Sequence, residues 1–370
     1  MRKIIRVAGM GRRGPLPGKR KKVLQWVRSR IATGRLKPGD RLPDRKWFRE
    51  KFDIANFPVQ LAFDELVADG LVKPVSGHGT VVAEKLPFER RYLLLLRSRG
   101  DDAGIKHFAP ALRTAAKNVA KKRDVTFEVK ELIDTDGDSV EYAEMLEDVR
   151  RHRYAGVFSQ GISEVEHGMD VVTNVDDVPM GHFGPRSALS QGNLVVSLQM
   201  HSRNFVRSLF GSHFDDCRKR GRLRVAVFCP YAPEYTDESR LRPFAKEYGL
   251  EVVPNGFHLV DMSHWIRSQF VRLMDLFLRS DAGRAADAII LGDDNLLLPF
   301  IECCVKAYGK NAESRYFVSC HCNFPCPIDT DFPVNFHGPD LESTISSFVD
   351  YAESCLAGVR HPRPPELMLL

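Results

Sequence analysis

The chain contains 370 residues, of which 43% are apolar, and this length is sufficient for two or three domains. No apolar run reaches the ~20 residues that a membrane-spanning helix requires, and the N-terminal residues MRKIIRVAGMGRRGP lack the apolar core of a signal peptide. The sequence therefore predicts a cytoplasmic protein with no membrane partner, in which the eight cysteines are reduced.

The basic and acidic residues are divided unevenly along the chain. Residues 1–91 contain 22 Lys and Arg and 9 Asp and Glu, a net charge of +13, whereas the remaining residues contain 32 and 39, a net charge of −7. A basic segment followed by an acidic body is typical of a DNA-binding head, because neutralisation of phosphates supplies most of the non-specific affinity for DNA. Residues 1–17 are predicted to form a flexible basic arm, which either contacts phosphates or remains a solvated tail.

Residues 18–84 contain a pattern of three helices followed by two short strands. Val23, Val27 and Ile31 lie at helical spacing and predict a first helix that ends before Gly34. The side chains that the second and third helices are predicted to bury are Trp47, Phe48, Phe52, Val59, Ala62, Phe63, Leu66 and Val67.

The third helix is predicted over residues 56–69, and both of its ends carry position-specific signals. Asn56 is a good N-cap, Pro58 falls in the tolerant first turn, and Gly70 follows the last turn as a C-cap glycine. Further along, the two glycines of segment 77–79 allow the chain to reverse between two strands, which predicts a β-hairpin wing.

The framework of this segment resembles the winged helix-turn-helix of GntR-type bacterial repressors. The matching motifs are G-x-L-x-P-G-D-x-L-P at 34–43, L-x-x-D-G-L-V at 66–72 and G-x-G-T-V-V at 77–82. The resemblance implies that the segment binds double-stranded DNA in the major groove. The residues predicted to contact DNA are Arg41, Asp44, Arg45, Lys46, Asn56, Phe57, Gln60, Lys73 and His78.

The predicted recognition helix departs from the family at the residues that would contact bases. The family's helix usually opens Ser-Arg-x-Thr-Val-Arg, whereas residues 55–60 are Ala-Asn-Phe-Pro-Val-Gln, so Asn56 and Gln60 replace the two arginines. Asn and Gln pair with adenine, whereas Arg prefers guanine, and the family's operator preference therefore does not transfer. Asn56 has an alternative role as a helix cap only.

After a predicted linker over 85–91, the pattern changes to buried strands that alternate with amphipathic helices. The predicted strands are 92–97, 126–132, 154–160, 178–184, 222–230, 251–257, 286–294 and 316–322. The predicted helices are 104–122, 139–152, 198–220, 237–248, 261–279, 295–308 and 340–357. This alternation predicts an α/β body with doubly wound parallel sheets, and its length favours two lobes divided near residues 190–200.

The body, residues 92–370, resembles the effector-binding and dimerisation domain of LacI/GalR-type regulators, which is periplasmic-binding-protein-like. The motifs that carry this resemblance are D-A-I-I-L-G-D-D at 287–294, Ser239-Arg240 at the start of a helix, and A-G-V-x-x-P at 357–362. A GntR-type head on a LacI-like body is the arrangement of arabinose-type repressors. The resemblance implies a cytoplasmic homodimer that binds a palindromic operator and a sugar or sugar derivative between its two lobes.

Ligands of doubly wound sheets bind beyond the carboxyl ends of the strands. The effector-contacting residues predicted on this basis are Gln160, His182, Phe183, Tyr231, Arg240, Asp293, Asp294 and Asn323. Asp294, Arg240 and Asn323 suit paired sugar hydroxyls, and an aromatic side chain such as Phe183, Tyr231 or Trp265 suits the apolar face of a sugar ring. Helix capping is the alternative role of the two aspartates, and a structural role is favoured for His182 and His321.

Other kinds of site are less well supported by the sequence. Cys320, Cys322 and Cys326 lack the paired C-x-x-C spacing of a zinc site and are interpreted as buried strand and loop residues, so no metal or cofactor is predicted. The chain contains no G-x-S-x-G motif and no phosphate-binding glycine loop, which disfavours an enzyme. A ligand-responsive transcriptional repressor is predicted, and a body that serves only as a dimerisation scaffold is the alternative.

Overall fold

The computed structural model describes residues 18–98, 107–133, 140–160, 177–183, 194–200, 202–230, 236–262, 266–359 and 361–370. The predicted basic arm, Tyr231 and Trp265 lie outside these residues. The described chain is a mixed α/β structure with a helical head, which ends in an antiparallel hairpin, and a body built on two parallel sheets. No helix in the described ranges is long and apolar enough to cross a membrane.

The head, residues 18–82, consists of three helices and a hairpin. Its elements are α1 (Gly18–Ala32), α2 (Arg45–Phe52), α3 (Asn56–Ala68), β1 (Val72–Val75) and β2 (Gly79–Val82). Phe48 is fully buried at the centre, and the rings of Trp26, Trp47 and Phe63 lie 5.0–5.4 Å from its ring. The apolar spacing in the sequence therefore predicts this core correctly, because these side chains meet where the three helices cross.

Two predictions about α3 are wrong. Ala55 occupies the N-cap position and makes no side-chain capping bond, so Asn56 is the first helical residue and its side chain is exposed. Val67, predicted to be buried, is 41% exposed in the last turn of the helix. The exposed surface of α3 therefore includes Asn56 and Val67, for which the sequence pattern predicts a cap and a buried residue.

The first lobe of the body contains a five-stranded parallel sheet in the order β4-β3-β5-β6-β7. Its strands are β3 (Arg91–Ser98), β4 (Thr126–Ile133), β5 (Gly156–Ser159), β6 (Met180–Phe183) and β7 (Val195–Leu198), and its helices include α4 (Phe108–Arg123) and α5 (Val140–Arg150). Tyr92, Phe158 and Phe348 are fully buried in this lobe. Strand β7 is not predicted, because its four residues are mostly half-buried and Ser197 interrupts its short apolar stretch.

The second lobe contains another five-stranded parallel sheet, in the order β12-β11-β10-β8-β9. Its strands are β8 (Arg224–Pro230), β9 (Glu251–Val260), β10 (Ala288–Leu291), β11 (Phe317–His321) and β12 (Val334–His337). Its helices are α6 (Arg203–Lys219), α7 (Glu238–Glu247), α8 (Arg267–Arg279), α9 (Asp281–Ala285), α10 (Leu297–Tyr308) and α11 (Ala312–Arg315). The predictions omit β12 and the short helices α9 and α11.

The chain crosses between the lobes more than once. After β12 it returns to the first lobe as α12 (Leu341–Leu356), whose first turn is capped by Asp340 and which packs against α4. The C-terminal residues then come back to this crossing, where Leu370 and Gly338 exchange backbone hydrogen bonds of 2.9 and 3.1 Å. The C-terminal segment and the return crossing are therefore hydrogen-bonded to each other.

The head contacts the first lobe directly. Gly34, just after α1, has a φ of +64°, and a Cβ at this position would lie 2.2 Å from the backbone nitrogen of Gly358 and 2.3 Å from the carbonyl oxygen of Leu356. Glycine is therefore required for both the turn and this approach. The end of α12 therefore lies against the end of the first helix of the head. In the segment predicted as a linker, Leu86 and Phe88 are buried.

Candidate functional site

Basic side chains are exposed on α2 and on the residues just before it. Arg41, Arg45 and Lys46 are all exposed, and the ammonium group of Lys46 lies 3.9 Å from the carboxylate of Glu50 one turn away. Asp44 is the N-cap of α2, and its carboxylate accepts a hydrogen bond of 2.8 Å from the backbone N–H of Trp47. The structure therefore gives Asp44 a capping role and leaves three cations of the predicted DNA-binding set accessible to phosphates.

The first turn of α3 presents an unusual combination of side chains. Asn56 is exposed, and the Phe57 side chain is 70% exposed although it is one of the larger apolar groups of the head. The amide Nε2 of Gln60 donates a hydrogen bond of 2.7 Å to Asp64 on the next turn. These residues form a continuous outward surface on the helix that the sequence predicts for base recognition.

The wing lies beside this helix and carries the last two predicted DNA contacts. Lys73 is exposed, with its ammonium group 3.8 Å from Glu84, and His78 is exposed at the tip with its Nδ1 3.2 Å from the carbonyl oxygen of Ser76. Arg41 forms an isolated antiparallel bridge with Val81 of the wing. The bridge joins the residues before α2 to the hairpin, so both are parts of one surface.

In the second lobe, polar residues gather at the carboxyl ends of β10 and β11. Asn323 donates a hydrogen bond of 2.8 Å from Nδ2 to the carboxylate of Asp294. The carboxylate of Asp293 accepts hydrogen bonds from the backbone N–H of Asn295, at 2.9 Å, and from its side-chain amide, at 2.8 Å. Asp293 therefore caps the following turn, whereas Asp294 faces the neighbouring strand end.

This polar cluster is buried but not fully satisfied. Asp294 is 2% exposed, and His321 and Asn323 are also buried. Among the described residues, neither Asn323 Oδ1 nor His321 Nδ1 has a hydrogen-bond partner. Because an unpaired buried polar atom carries a desolvation cost, such atoms at a strand end mark a place where a hydroxyl or amine of a ligand would be stabilised.

Burial and the negative charge of Asp294 together raise the pKa of Asp293, while His321 and the hydrogen bonds from Asn295 oppose this shift. The folded protein therefore binds a proton at Asp293 at pH values where the unfolded chain, with an aspartate pKa near ~3.9, has already lost it. The free energy of unfolding must consequently fall as the pH rises from that value through the higher pKa of the folded state.

We expect Asp293→Asn to be more stable than the parent at pH 7, because the amide keeps the oxygen that caps the turn and removes the buried charge. The difference should become smaller as the pH falls, because the parent carboxyl then takes up its proton. Urea unfolding at several pH values measures both quantities, with Asp281→Asn, at an exposed carboxyl of the same lobe, as the control. A parent whose stability does not decline relative to the variant as the pH rises would contradict the raised pKa.

The head resembles known protein sequences. Residues 19–82 match the family model described as bacterial regulatory proteins, gntR family. Residues 19–82 form a GntR-type winged helix-turn-helix. The mannosyl-D-glycerate transport/metabolism system repressor MngR of Escherichia coli K12 is 32% identical over 65 residues, which are 18% of this chain and 27% of the relative. The match therefore spans about a quarter of that relative's length.

Several solved structures resemble the chain over a range that includes the body. A CelR transcriptional regulator in complex with cellobiose covers 95% of this chain and 98% of its own, with a TM-score of 0.52 and 14% identity. A LacI-family protein of Chloroflexus aggregans covers 75% and 96%, with a TM-score of 0.54 and 10% identity. A periplasmic solute-binding protein of Actinobacillus succinogenes with bound D-allose covers 76% and 96%, with a TM-score of 0.50 and 12% identity. These likenesses confirm the predicted fold of the body.

The remaining predicted effector residues lie apart from the cluster in the second lobe. Gln160 and His182 lie at the carboxyl ends of β5 and β6, where burial lowers the pKa of His182 and so keeps its imidazole neutral. Phe183 is buried, with its ring 5.1 Å from that of Phe108 and 5.5 Å from that of Phe158, as a core residue would be. Arg240 is exposed at the start of α7 and pairs with its N-cap Asp237 at 3.1 Å.

Two features are not predicted from the sequence. The side chain of Asn295 donates a hydrogen bond to Asp293, whereas the sequence predicts either effector contacts or helix capping for the two aspartates and no role for Asn295. A groove of about 670 Å³ lies at the first crossing between the lobes, lined in part by Ser197, Ser202 and Leu367. No sequence pattern predicts this groove, because its walls come from three segments that are distant in the sequence or differ in structure: β7, α6 and the C-terminal tail.

The three cysteines considered as metal ligands are placed as the sequence interpretation favours. Cys320 and Cys322 are buried, burial raises the pKa of Cys322 to about 12, and Cys326 is half-buried. Within the ranges that the structure describes, no three His, Cys, Asp or Glu side chains are grouped to hold a metal ion.

Proposed function

We propose that this chain is a transcriptional regulator whose affinity for operator DNA is controlled by a sugar or sugar derivative. The observation that carries the proposal is the combination of a GntR-type head with a body whose fold is that of LacI-type regulators and periplasmic solute-binding proteins. The relatives are named as a repressor of a mannosyl-D-glycerate transport/metabolism system and as complexes with cellobiose and D-allose. A carbohydrate is therefore the best-supported class of effector.

The proposed domains follow the course of the chain. A basic arm, residues 1–17, precedes the head at 18–84, a connecting segment at 85–91 joins it to the body, and the body at 92–370 divides into two lobes near 190–200. We place the effector between these lobes, in contact with Asp294 and Asn323. The protein would act in the cytoplasm as a homodimer, so that two heads meet the two halves of a palindromic operator.

The contact between head and body supplies a physical route for control. The last residues of α12 and Gly358 lie against Gly34 at the end of α1, and α12 itself follows directly from the crossing between the lobes. A sugar that closes the lobes would change the position of this crossing and so the position of the head. It can shift the balance between two such states only to the extent that it binds one more tightly than the other.

A thermal-shift screen of the full chain against pentoses, hexoses and their acids tests the sensing part of this proposal. We expect one class of sugar to raise the unfolding temperature and to change the affinity for operator DNA at the same concentration. A sugar that stabilises the protein without changing DNA binding would contradict control of the head. If no sugar in a broad panel changed the unfolding temperature, a body that serves only as a dimerisation scaffold would be favoured.

A second test addresses the DNA-binding surface. Replacing Arg45 and Lys46 together by alanine is expected to weaken binding to any duplex by about tenfold at moderate salt, because two phosphate contacts are lost. The slope of log affinity against log salt should become less steep by about 2. Fluorescence anisotropy at several salt concentrations measures both values. Lys310→Ala, at an exposed basic residue of the second lobe, is the control. An unchanged slope in the double variant would remove α2 from the interface.

A further inference from the structure

The outward face of α3 differs chemically from a surface that binds phosphates. Phe57 is 70% exposed in the first turn, Pro58 provides no backbone N–H there, and Asp64 places a carboxylate one turn further along. A carboxylate and an aromatic ring are poor partners for a phosphate. Both are compatible with the edges of base pairs, where apolar groups and fixed donors or acceptors are recognised.

The hydrogen bond between Gln60 and Asp64 fixes one amide on this face. Gln60 Nε2 donates one N–H to Asp64 Oδ1 at 2.7 Å, which restrains the orientation of the amide group. The second N–H of Nε2 and the oxygen Oε1 then point along the remaining directions of the same plane. This donor–acceptor pair matches N7, which accepts, and the N6 amino group, which donates, on the major-groove edge of adenine.

Phe57 precedes Gln60 by three residues and therefore lies on the same side of the helix, about one turn away. Its ring has no polar atom, so the feature of a major-groove edge that it can contact favourably is the C5 methyl group of thymine. Because thymine and adenine are the two partners of one kind of base pair, both side chains favour the same composition in the DNA beneath α3.

Resting on the proposed function, we propose that α3 selects A·T base pairs through two specificity-determining side chains. The amide of Gln60, positioned by Asp64, pairs with the N6 and N7 atoms of adenine, and the ring of Phe57 covers a thymine methyl group. Asp64 is a positioning residue that acts through Gln60. An arginine, which the family usually carries at the position of Gln60, would favour guanine, so the inferred operator differs at this contacted base from those of relatives that retain the arginine.

The experiment begins with selection of duplexes from a random library by the full chain. Recovery of a shared sequence supports the proposed function, whereas no retained duplex even at low salt would refute the proposed function itself. In the selected half-site each thymine is then replaced in turn by deoxyuridine, which lacks only the methyl group, and each adenine by 7-deazaadenine, which lacks N7.

For the parent protein, deoxyuridine at one position of each half-site should weaken binding roughly fourfold, which corresponds to about 0.8 kcal/mol for one buried methyl group. Phe57→Ala should bind the thymine and deoxyuridine duplexes equally, and Phe57→Leu should retain part of the difference. Loss of N7 at one adenine should weaken the parent roughly tenfold and leave Gln60→Ala unaffected. Asp64→Asn should reduce the preference for adenine over guanine at that position.

Val67→Ala is the matched control, because Val67 is an exposed apolar residue of the same helix far from its first turn. It should retain the full response to both base analogues. A selected half-site with only G·C pairs at the sensitive positions would overturn the inference. So would equal deoxyuridine effects in the parent and in Phe57→Ala, since the ring would then contact something other than the methyl group.

Discussion

Replacing Arg28 by alanine is expected to lower the free energy of unfolding of the head by about 3–5 kcal/mol. The Arg28 side chain is 7% exposed and joins Glu65 at 2.8 Å and Asp69 at 2.5 Å, and Glu65 also pairs with Arg20. Alanine would leave two largely buried carboxylates with only one of their cationic partners. The cost of such unpaired charges exceeds that of the packing volume lost with the side chain.

Urea unfolding followed by tryptophan fluorescence measures this effect, because two of the three tryptophans, Trp26 and Trp47, lie in the head. Lys22→Ala, at an exposed residue of the same helix, should change the stability by no more than about 0.5 kcal/mol. Arg28→Met combined with neutral Gln and Asn at positions 65 and 69 should recover most of the loss. If the combined variant were as unstable as Arg28→Ala, the loss would come from the missing attraction of the ion pairs rather than from carboxylates left buried and unpaired.

This buried ion pair network also joins α3, the proposed recognition helix, to α1. Glu65 lies in the C-terminal half of α3, Asp69 follows the helix directly, and Arg28 belongs to α1, so the pairs fix the two helices against each other. The first turn of α3 remains exposed beyond these ion pairs. The arrangement holds the residues that we propose to face the bases on a rigid support, while the helix end that carries them stays accessible.

The framework of the head could be predicted from the sequence because its signals are local. Gly70 and the wing glycines have positive φ values, as their positions in the motifs indicate. The N-cap of α3 could not be predicted, because Ala55 takes that position through its backbone angles alone, φ −69° and ψ 163°, without any side-chain bond. The close approach of Gly34 to Gly358 could not be predicted either, because the two residues are 324 positions apart in the sequence and no local motif indicates the contact.

In the body, continuous apolar runs located the central strands, and the missed strands show the limit of that signal. β12 has four half-buried residues, V-N-F-H, at the edge of the second sheet, where one side of the strand meets no other strand. Natural sheets often end in short edge strands, since one side of such a strand is not paired. The four-residue edge strands β7 and β12 are too short and too polar to give a clear apolar pattern, whereas the longer edge strands β4 and β9 give one.

The position of the polar cluster could be predicted from the rule that ligands bind beyond the carboxyl ends of parallel strands. The pairing of Asp294 with Asn323 could not, because it depends on the register of the sheet. Parallel pairing places Leu291 of β10 opposite Cys320 of β11. Three residues further along each strand come Asp294 and Asn323, which are thus brought side by side by a constant offset of 29 residues. The sequence places both residues at strand ends, but it does not reveal which strands are neighbours.

Replacing Asp294 by alanine is expected to weaken binding of the effector identified in the thermal-shift screen by at least about 100-fold, or about 3 kcal/mol. The carboxylate is 2% exposed and is held by Asn323 at 2.8 Å, so it is a fixed acceptor in a place from which bulk water is excluded. Hydrogen bonds from sugar hydroxyls to such a charged acceptor are stronger than those to a neutral group. Its removal also leaves the Asn323 amide without this partner.

Isothermal titration with that sugar measures the loss, and Asp281→Ala, at an exposed carboxyl of the same lobe, should bind as the parent does. The Asp294→Ala protein should still bind operator DNA as the ligand-free parent does, because its head and the contact at Gly34 are unchanged. Addition of the sugar should then leave its DNA affinity unaltered. A variant that still responded to the sugar would place the effector away from the ends of β10 and β11, whereas one that lost DNA binding without any ligand would show that Asp294 supports the state that binds the operator.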